Sequence, residues 1–510
     1  MIDLIDILLS STDPRKTQWE LESRAAQLAG LQHSEVDELL TNILESIDCK
    51  GAFGTDAAAA IGLLIHKVSA QPTTEAWSES RLGSIESLYL KSPADADLRN
   101  QLLNWLASCG DENSLKLWAQ LITTNPPEHR IGLVLAFAPL MQKEFQPQPW
   151  LLEKLLSQGT AHMQIAPLIF DGFNFWFRSE KVASHPAEPR LEQLVTLFGQ
   201  LIGQLGKIEE GNIRQDVDLL TLNYQISDSV ALVVSLCDFF GLLKSEIAKP
   251  KLHQAMSLKH RRVQAEAAAA LAVMGEEDGK QTLIGLAAEP VARLRVLNYA
   301  EELGFLKDVS LEWQGEIAVA ESHLAIWLSD PSQVGFAPAE IKLVDNREMN
   351  WPSYDHPVQC YLFDYRYGLK EDAPGNIGIC GPMTHAFPAD LRGLSHDDMY
   401  AAFAGWQTVH QEIFITTLDR AKAAAPGEIT SLEARLNSIE AGDVEQVEFV
   451  GNFFGQWVLL AAGTIEEKPA TLVIDESDHY WIDSGNPKAP IDAQTAWSIV
   501  QGRKLLAHFN

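Results

Sequence analysis

The chain reads as mainly α: an array of stacked helical pairs over residues 1–335, followed by a smaller α+β domain over residues 336–510. Three observations predict this. Apolar residues recur at helical spacing through the first two thirds, with short Gly, Pro, Asn and Asp turns between the stripes. Two alanine-rich segments stand in tandem about 30 residues apart, a self-similarity that favours a repeat array over a bundle. Period-2 alternation begins only after about residue 340. With 510 residues, the chain is too long for one ordinary core, which leaves several domains or an elongated array.

The helical part opens on Met1 to Ser10, apolar but carrying Asp3 and Asp6 and no basic stretch, the pattern of a docked first helix rather than a signal peptide. Asp13 and Pro14 form an N-cap and first-turn pair, and Leu21, Ala25 and Leu28 then share a helical face. Ser34 and Asp37 stand at capping-box spacing, with Asp in place of the usual Glu. Val36, Leu39, Leu40, Ile43 and Ile47 follow as a strong amphipathic stripe. Leu98, Leu102, Trp105 and Leu106 repeat it, and so do Leu115, Trp118, Ala119 and Ile122 after the breaker Gly110-Asp111. Val230 to Leu243, broken by Ser235 and Asp238, is expected to be a buried helix too short to cross a bilayer. Trp313, Ile317, Ala320, Leu324 and Trp327 give the last stripe.

The tandem copies lie within residues 250–307. Arg262 to Leu271 (RVQAEAAAAL), ending at Gly275, is followed by a helix through Leu283, Ile284 and Leu286; after Glu289-Pro290, Val291 to Arg295 (VARLR) opens a similar helix ending at Gly304. This resembles HEAT repeats, in which small residues let neighbouring helices approach closely and stacked pairs form an α-solenoid. The arginine usual early in such repeats is read as Arg295, with Gln264 in the preceding copy. Weaker echoes stand at Asp56 to Leu64 and Arg130 to Leu140. The resemblance implies an extended binding surface and no catalytic requirement.

After residue 340 the texture changes. Val358 to Tyr367 alternates, with Tyr361, Phe363, Tyr365 and Tyr367 on one face and Cys360, Leu362, Asp364 and Arg366 on the other. Asn376 to Phe387 reads as a second strand interrupted at Gly381-Pro382. Ser395 and Asp398 open a helix through Met399, Phe403 and Trp406, expected to run to about Ala423. A helix over Thr430 to Ile439 and strands over Gln456 to Thr464, Ala470 to Asp475 and His479 to Asp483 follow, before a last helix bearing Trp497, Val500 and Leu505. This mix predicts a compact α+β domain. Its run from Gly375 to Trp406 resembles segments of uncharacterised bacterial HEAT-repeat proteins, which implies no mechanism.

The formal charge is −30, with 27 Lys+Arg against 44 Asp+Glu in residues 1–330 and 12 against 25 in residues 331–510. Such a field repels a phosphate backbone or an anionic membrane, so neither nucleic acid nor a membrane is an expected partner. One basic island, Lys249, Lys251, His253, Lys259, His260, Arg261 and Arg262, is either a patch for an acidic partner or nucleic acid, or a set of solvated helix ends. HEAT-like DNA glycosylases resemble the chain only in helical repetition, and the net charge argues against that reading. Cys49, Cys109, Cys237, Cys360 and Cys380 are scattered and odd in number, as expected of reduced thiols in a cytoplasmic protein.

No motif fixes a reaction. GxGxxG after a strand, GxxxxGK[ST] and GxSxG are all missing. Residues 351–410 are the densest unusual region, with ten of the chain's 42 Trp, Tyr and Phe, four of its 14 His and two of its five Cys. Aromatic loops on a rigid scaffold suit a binding site, and equally suit the core of a small domain. Cys380, His385 and Asp390 read either as nucleophile, base and orienter or as core and turn residues. His385, His396 and His410 with Asp397 or Glu412 are acceptable metal ligands without metal-site spacing, and Asp475, Glu476, Asp478 and Asp483 lack the grammar of a calcium loop. No cofactor or metal is therefore expected, and no motif supports a small-molecule ligand.

The leading expectation is a non-catalytic binding or scaffold protein whose partner is another protein. The alternatives are an enzyme with its site in residues 351–410, and a nucleic-acid-binding helical-repeat protein. The expected contact surface is the junction between the last helical repeats and the α+β domain, near Trp351, Tyr354, His356, His385 and Trp406.

Overall fold

A computed structural model describes the chain apart from residues 1, 11–13, 25–26, 29, 51–52, 70–76, 129–131, 212–218, 331, 369, 371–372, 410–412, 417–425, 440–443, 454–455, 466–467 and 484–490. The fold is mainly α with a smaller α+β part. Among the described residues every strand lies after residue 339. Contacts divide the chain into two compact units, Met1–Leu283 and Ile284–Asn510.

The first unit is helix after helix: α1 (Ile2–Ser10), α2 (Pro14–Ser23), α3 (His33–Lys50), α4 (Thr55–Ser69), α5 (Glu79–Lys91), α6 (Leu98–Cys109), α7 (Glu112–Thr124), α8 (Leu133–Phe137), α9 (Pro149–Gln158), α10 (Ala166–Arg178), α11 (Leu191–Glu209), α12 (Leu219–Leu242), α13 (Lys249–Met256), α14 (Arg261–Val273) and the start of α15 (Glu277–Leu286). Packing alternates. Helix α4 lies on α6 and α6 on α8, while α5 lies on α7 and α7 on α9; α10, α12 and α14 continue the first series. Each stripe seen in the sequence points inward, so Leu39, Ile43, Leu102, Leu106, Trp118 and Ile122 are all buried. This two-layer stacking is compatible with an α-solenoid. Polar bonds fix the pairs: Trp118 Nε1 donates to the Ala136 carbonyl at 3.1 Å, and Trp176 Nε1 to the Leu140 carbonyl at 2.9 Å.

Two local readings change. Helix α3 begins at His33, not after Ser34, because Glu35 accepts from the Gln32 backbone N–H at 2.7 Å and so closes the box two residues earlier. Asp37 is thereby free to pair with Arg81 of α5. The apolar stretch Leu222–Leu242 is long and apolar enough, by length and composition, to cross a membrane, contrary to the sequence reading. In the fold 61 % of its most apolar 18-residue window is buried, with Leu232, Val233, Leu236, Phe239 and Phe240 in the core. The alanines of α14 have a packing reason. Gly241 of α12 comes so close that a Cβ there would sit 3.2 Å from the Ala270 Cα, and Ala265 and Ala267 to Ala270 are buried.

The second unit holds α16 (Pro290–Glu302), α17 (Leu311–Gln314), α18 (Glu316–Ser329) and two antiparallel sheets. The first sheet has the order β1 (Glu340–Met349), β2 (Val358–Arg366), β3 (Gly375–Cys380), β4 (His385–Ala386); helix α19 (His396–Val409) follows it. The second has the order β5 (Ile413–Thr416), β6 (Val444–Phe453), β7 (Gln456–Ile465), β8 (Lys468–Ile474), β9 (His479–Asp483), with α20 (Pro426–Ser438) between its first two strands and α21 (Ala493–Phe509) after its last. Helix α19 ends at Val409 and Ile413–Thr416 form β5, so the helix does not continue as expected toward Ala423, which lies outside the described residues. Strands β1 and β6 carry no expectation from the sequence.

The two faces of β2 divide as the alternation predicts. Tyr361, Phe363 and Tyr365 pack on Ala320, Leu324 and Leu328 of α18; Cys360 and Leu362 face a second core with Tyr400 and Phe403 of α19 and Trp497 and Val500 of α21. Val458, Leu460, Val473 and Ile482 of the second sheet close that core, and its opposite face buries Leu459, Ala461 and Leu472 against Ile429 and Leu432 of α20. The layers are therefore helix, sheet, helix pair, sheet, helix.

One plan occurs twice: four antiparallel strands, then a helix. Ser395 and Asp492 cap α19 and α21, each accepting a backbone N–H three residues on. Gly405 and Gly502 each stand ten residues after their cap. The pair crosses there reciprocally. A Cβ on Gly405 would lie 1.9 Å from the Ser498 carbonyl oxygen, and one on Gly502 would lie 1.6 Å from that of Ala401. Ala401 and Ser498 are themselves equivalent, each six residues after its cap.

Candidate functional site

The five residues expected at the junction fall into three places within the second unit. Trp351 is core, 1 % exposed, with its indole N–H on the Gln407 side-chain oxygen. Tyr354 and His356 lie on the β1–β2 connection with their rings edge to face at 6.2 Å; the Tyr354 hydroxyl donates to the Pro382 carbonyl at 2.7 Å. His385 on β4 stacks on Trp406 of α19 at 3.9 Å and meets Trp327 of α18 edge-on at 5.5 Å, with Phe387 and Phe403 completing the ring cluster. Its Nε2 is buried without a hydrogen-bond partner among the described residues. Burial lowers its pKa to about 4, so the ring is neutral at pH 7.

This environment does not make a nucleophile. Cys380 is buried, its thiol directed to Thr384, and burial pushes it up to about 12, whereas an activated thiol needs the opposite shift. Asp390 is held by Arg392 in a bidentate pair, so it orients that guanidinium and not His385. The three side chains form no relay. His396 is 3.8 Å from Asp345, and Asp397 pairs with Arg347; His410 and Glu412 lie outside the described residues. Asp475 caps the last hairpin by accepting from the Ser477 and Asp478 backbones and pairs with Lys504. Burial would raise its pKa, but these bonds outweigh it and the group is lowered.

Part of the basic island is engaged by acidic side chains where it stands. Lys249 binds Glu246 at 2.9 Å and Glu276 at 2.7 Å, His253 faces Asp278 at 3.0 Å, and Glu209 accepts from the backbones of Lys259 and His260. His253, Glu276 and Asp278 bring three possible metal-ligand atoms within 4.8 Å of one another. Glu276 is already paired with the Lys249 ammonium.

A different feature stands at the seam between α18 and the first sheet. A cleft of about 610 Å³ is lined by Leu311, Glu312, Trp313, Gly315, Glu316, Ile317, Ala318 and Glu321 from α17 and α18, and by Asn346, Gln359 and Tyr361 from β1 and β2. Gly315 makes it. The stripe Trp313-Ile317-Ala320-Leu324 reads as one helix, but the chain breaks at Gly315 into α17 and α18. Ala320 and Leu324 go to the core, while Leu311 stays 82 % and Ile317 44 % exposed.

Arg293 of α16 ties together three residues that line the cleft, Trp313, Ala318 and Glu321. It is 1 % exposed, donates to the carbonyls of Ala287, Ala288 and Ala318, to Glu321 and to Ser322, and stacks on Trp313 at 4.8 Å. Counting back from the Gly304 and Gly275 ends of the two tandem helices, Arg293 and not Arg295 is the equivalent of Gln264. Tyr361 donates to Glu316 at 3.1 Å; burial first and this carboxylate next raise it to about 12. None of the five junction residues lines the cleft. The signal that would have found it is the leftover apolar pair Leu311 and Ile317 flanking a glycine. Comparison with protein-family models, with characterised proteins and with solved structures finds no match to this chain.

Proposed function

We propose that the protein is a non-catalytic binding protein whose partner is another protein, docked at the α17–α18 seam. The observation that carries this reading is the cleft itself: open, walled by rigid elements on two sides, and rimmed by Leu311 and Ile317, apolar side chains left in water beside a core that could have taken them. Its hydrogen-bonding groups, Asn346, Gln359 and three glutamates, suit recognition, and docking surfaces combine such groups with apolar contact area. The groups with displaced pKa values support the same reading, since burial or structural ion pairs account for each of them.

The test is in-cell crosslinking followed by affinity capture with the full chain and with Leu311→Arg. Leu311 is so exposed that the substitution leaves the fold intact. A protein captured in stoichiometric amount by the wild type and lost with Leu311→Arg supports the proposal. Equal capture by both chains sinks this docking surface.

A further inference from the structure

We infer that the occupant of this cleft is a cationic segment of the partner, in which lysine or arginine stands beside aliphatic side chains. The inference rests on the docking reading above and adds the chemistry of the guest. Three carboxylates, Glu312, Glu316 and Glu321, line the cleft. By register a fourth, exposed Glu348, stands opposite Gln359 on β2 and so shares the cleft-facing side of the sheet. Arg293 offsets one of these charges, that of Glu321, but it is a buried structural group whose donors are engaged by five partners. Glu316 accepts a neutral hydroxyl, which leaves its charge in place. The cleft is therefore anionic by local composition and not merely through the chain's overall charge of −30.

Apolar side chains flank the charged ones along it. Leu311 and Ile317 lie on either side of the Glu312–Glu316 pair, and Trp313 and Tyr361 supply aromatic walls. A basic side chain gains on both counts, because its aliphatic stem covers apolar surface while its head reaches carboxylates. An acidic or phosphorylated segment would meet like charge at each position, so charge complementarity selects a basic peptide.

The probe is a fluorescent octapeptide of alternating Arg and Leu, read by anisotropy at about 150 mM salt, where a Debye length near 8 Å suppresses the distant field. The comparison set is wild type, Glu312→Gln/Glu316→Gln, Leu311→Ser, and a control pair of exposed carboxylates in the other unit, Glu45→Gln/Glu188→Gln. Melting curves verify that each variant is folded. Expected are about tenfold weaker binding for the cleft carboxylate pair, a clear loss for Leu311→Ser, and a change under about twofold for the control pair. Equal weakening by the control pair, or none by the cleft pair, overturns the inference. If Leu311→Arg abolishes capture of the native partner while Glu312→Gln/Glu316→Gln leaves peptide affinity intact, the docking surface stands and the cationic guest is wrong. If Leu311→Arg captures as well as wild type, both readings fall.

Discussion

Replacing Gly502 with alanine tests the helix crossing that joins the two halves of the second unit, because two effects of known size oppose each other there. In a helix interior, Gly→Ala ordinarily stabilises by roughly 0.5–1 kcal/mol through backbone entropy. At Gly502 the new methyl would lie 1.6 Å from the Ala401 carbonyl oxygen, 2.3 Å from its carbon and 2.7 Å from its Cα. These are backbone atoms that cannot rotate away, so α19 and α21 must separate by about 1.5 Å to restore a normal contact. That movement loosens the packing around Tyr400, Phe403, Trp497 and Val500, all buried. Overpacking a tight core costs about 1–3 kcal/mol or more, so the net expectation is a loss of at least about 1–2 kcal/mol. Gly203 in α11 and Gly83 in α5 are the controls, with nothing within 4 Å of an added methyl, and alanine there should stabilise. The assay is urea unfolding followed by fluorescence and circular dichroism, with a separate transition assigned to each unit. The double variant Gly405→Ala/Gly502→Ala should cost less than the sum of its parts, since separated helices accommodate the second methyl. A Gly502→Ala protein as stable as wild type would refute the crossing.

Arg293→Ala should destabilise the second unit by about 3–5 kcal/mol, because it leaves Glu321 and three carbonyls without their donor; calorimetry should show a fall on the order of 10 °C that Arg293→Lys does not repair. Acid sensitivity follows from His385, whose folded pKa near 4 lies below the 6.5 of an exposed imidazole. The unfolded chain takes the proton first, so the neutral ring's contribution is full above about pH 6.5 and is lost as pH falls toward 4, by up to roughly 3 kcal/mol. His385→Phe keeps a ring on Trp406, and its urea midpoint should vary less over that window than that of wild type; identical slopes would count against the assignment. All five cysteines are free, so thiol titration of the native protein should label exposed Cys49 first and Cys109 more slowly, with Cys237, Cys360 and Cys380 reacting only after denaturation.

Architecture was legible wherever one periodicity ran unopposed. The stripes on α3, α6 and α7 reach the core because each is a complete face with a turn at either end. The alternation of β2 gives both its faces for the same reason. Legibility failed where charge overrode pattern. Strand β1 reads EIKLVDNREM, five charged residues in ten, and is a strand because it is the first-sheet edge against β2, with a bulge between Leu343 and Asp345 that shifts its alternation. Local capping misled at Ser34 because Gln32 and Glu35 form an equivalent box two residues earlier. The end of α19 was misread because the apolar run Ile413 to Thr416 continues helix spacing by accident and pairs instead with β6.

The cleft escaped notice for a related reason, and that reason bears on what it does. Aromatic density drew attention to residues 351–410, yet Trp351 is a core residue and the His385–Trp406 stack is packed within its own ring cluster. A core consumes aromatics, so their concentration measures burial as readily as binding. What distinguishes a surface meant for a partner is apolar side chain left in water where the fold had the means to bury it. Leu311 and Ile317 meet that criterion: they stand on either side of Gly315, where α17 ends and α18 begins, beside Glu312 and Glu316, while Ala320 and Leu324 further along α18 turn inward. Closing the break should therefore trade binding for stability. Gly315→Ala is the direct probe, since the Cβ it adds meets no atom nearer than 4.0 Å and the change acts on backbone preference where α17 ends and α18 begins. A more stable protein with weakened cationic-peptide binding is the expected outcome, read by calorimetry and anisotropy on the same sample. Unchanged affinity would show that the break has no part in forming the surface.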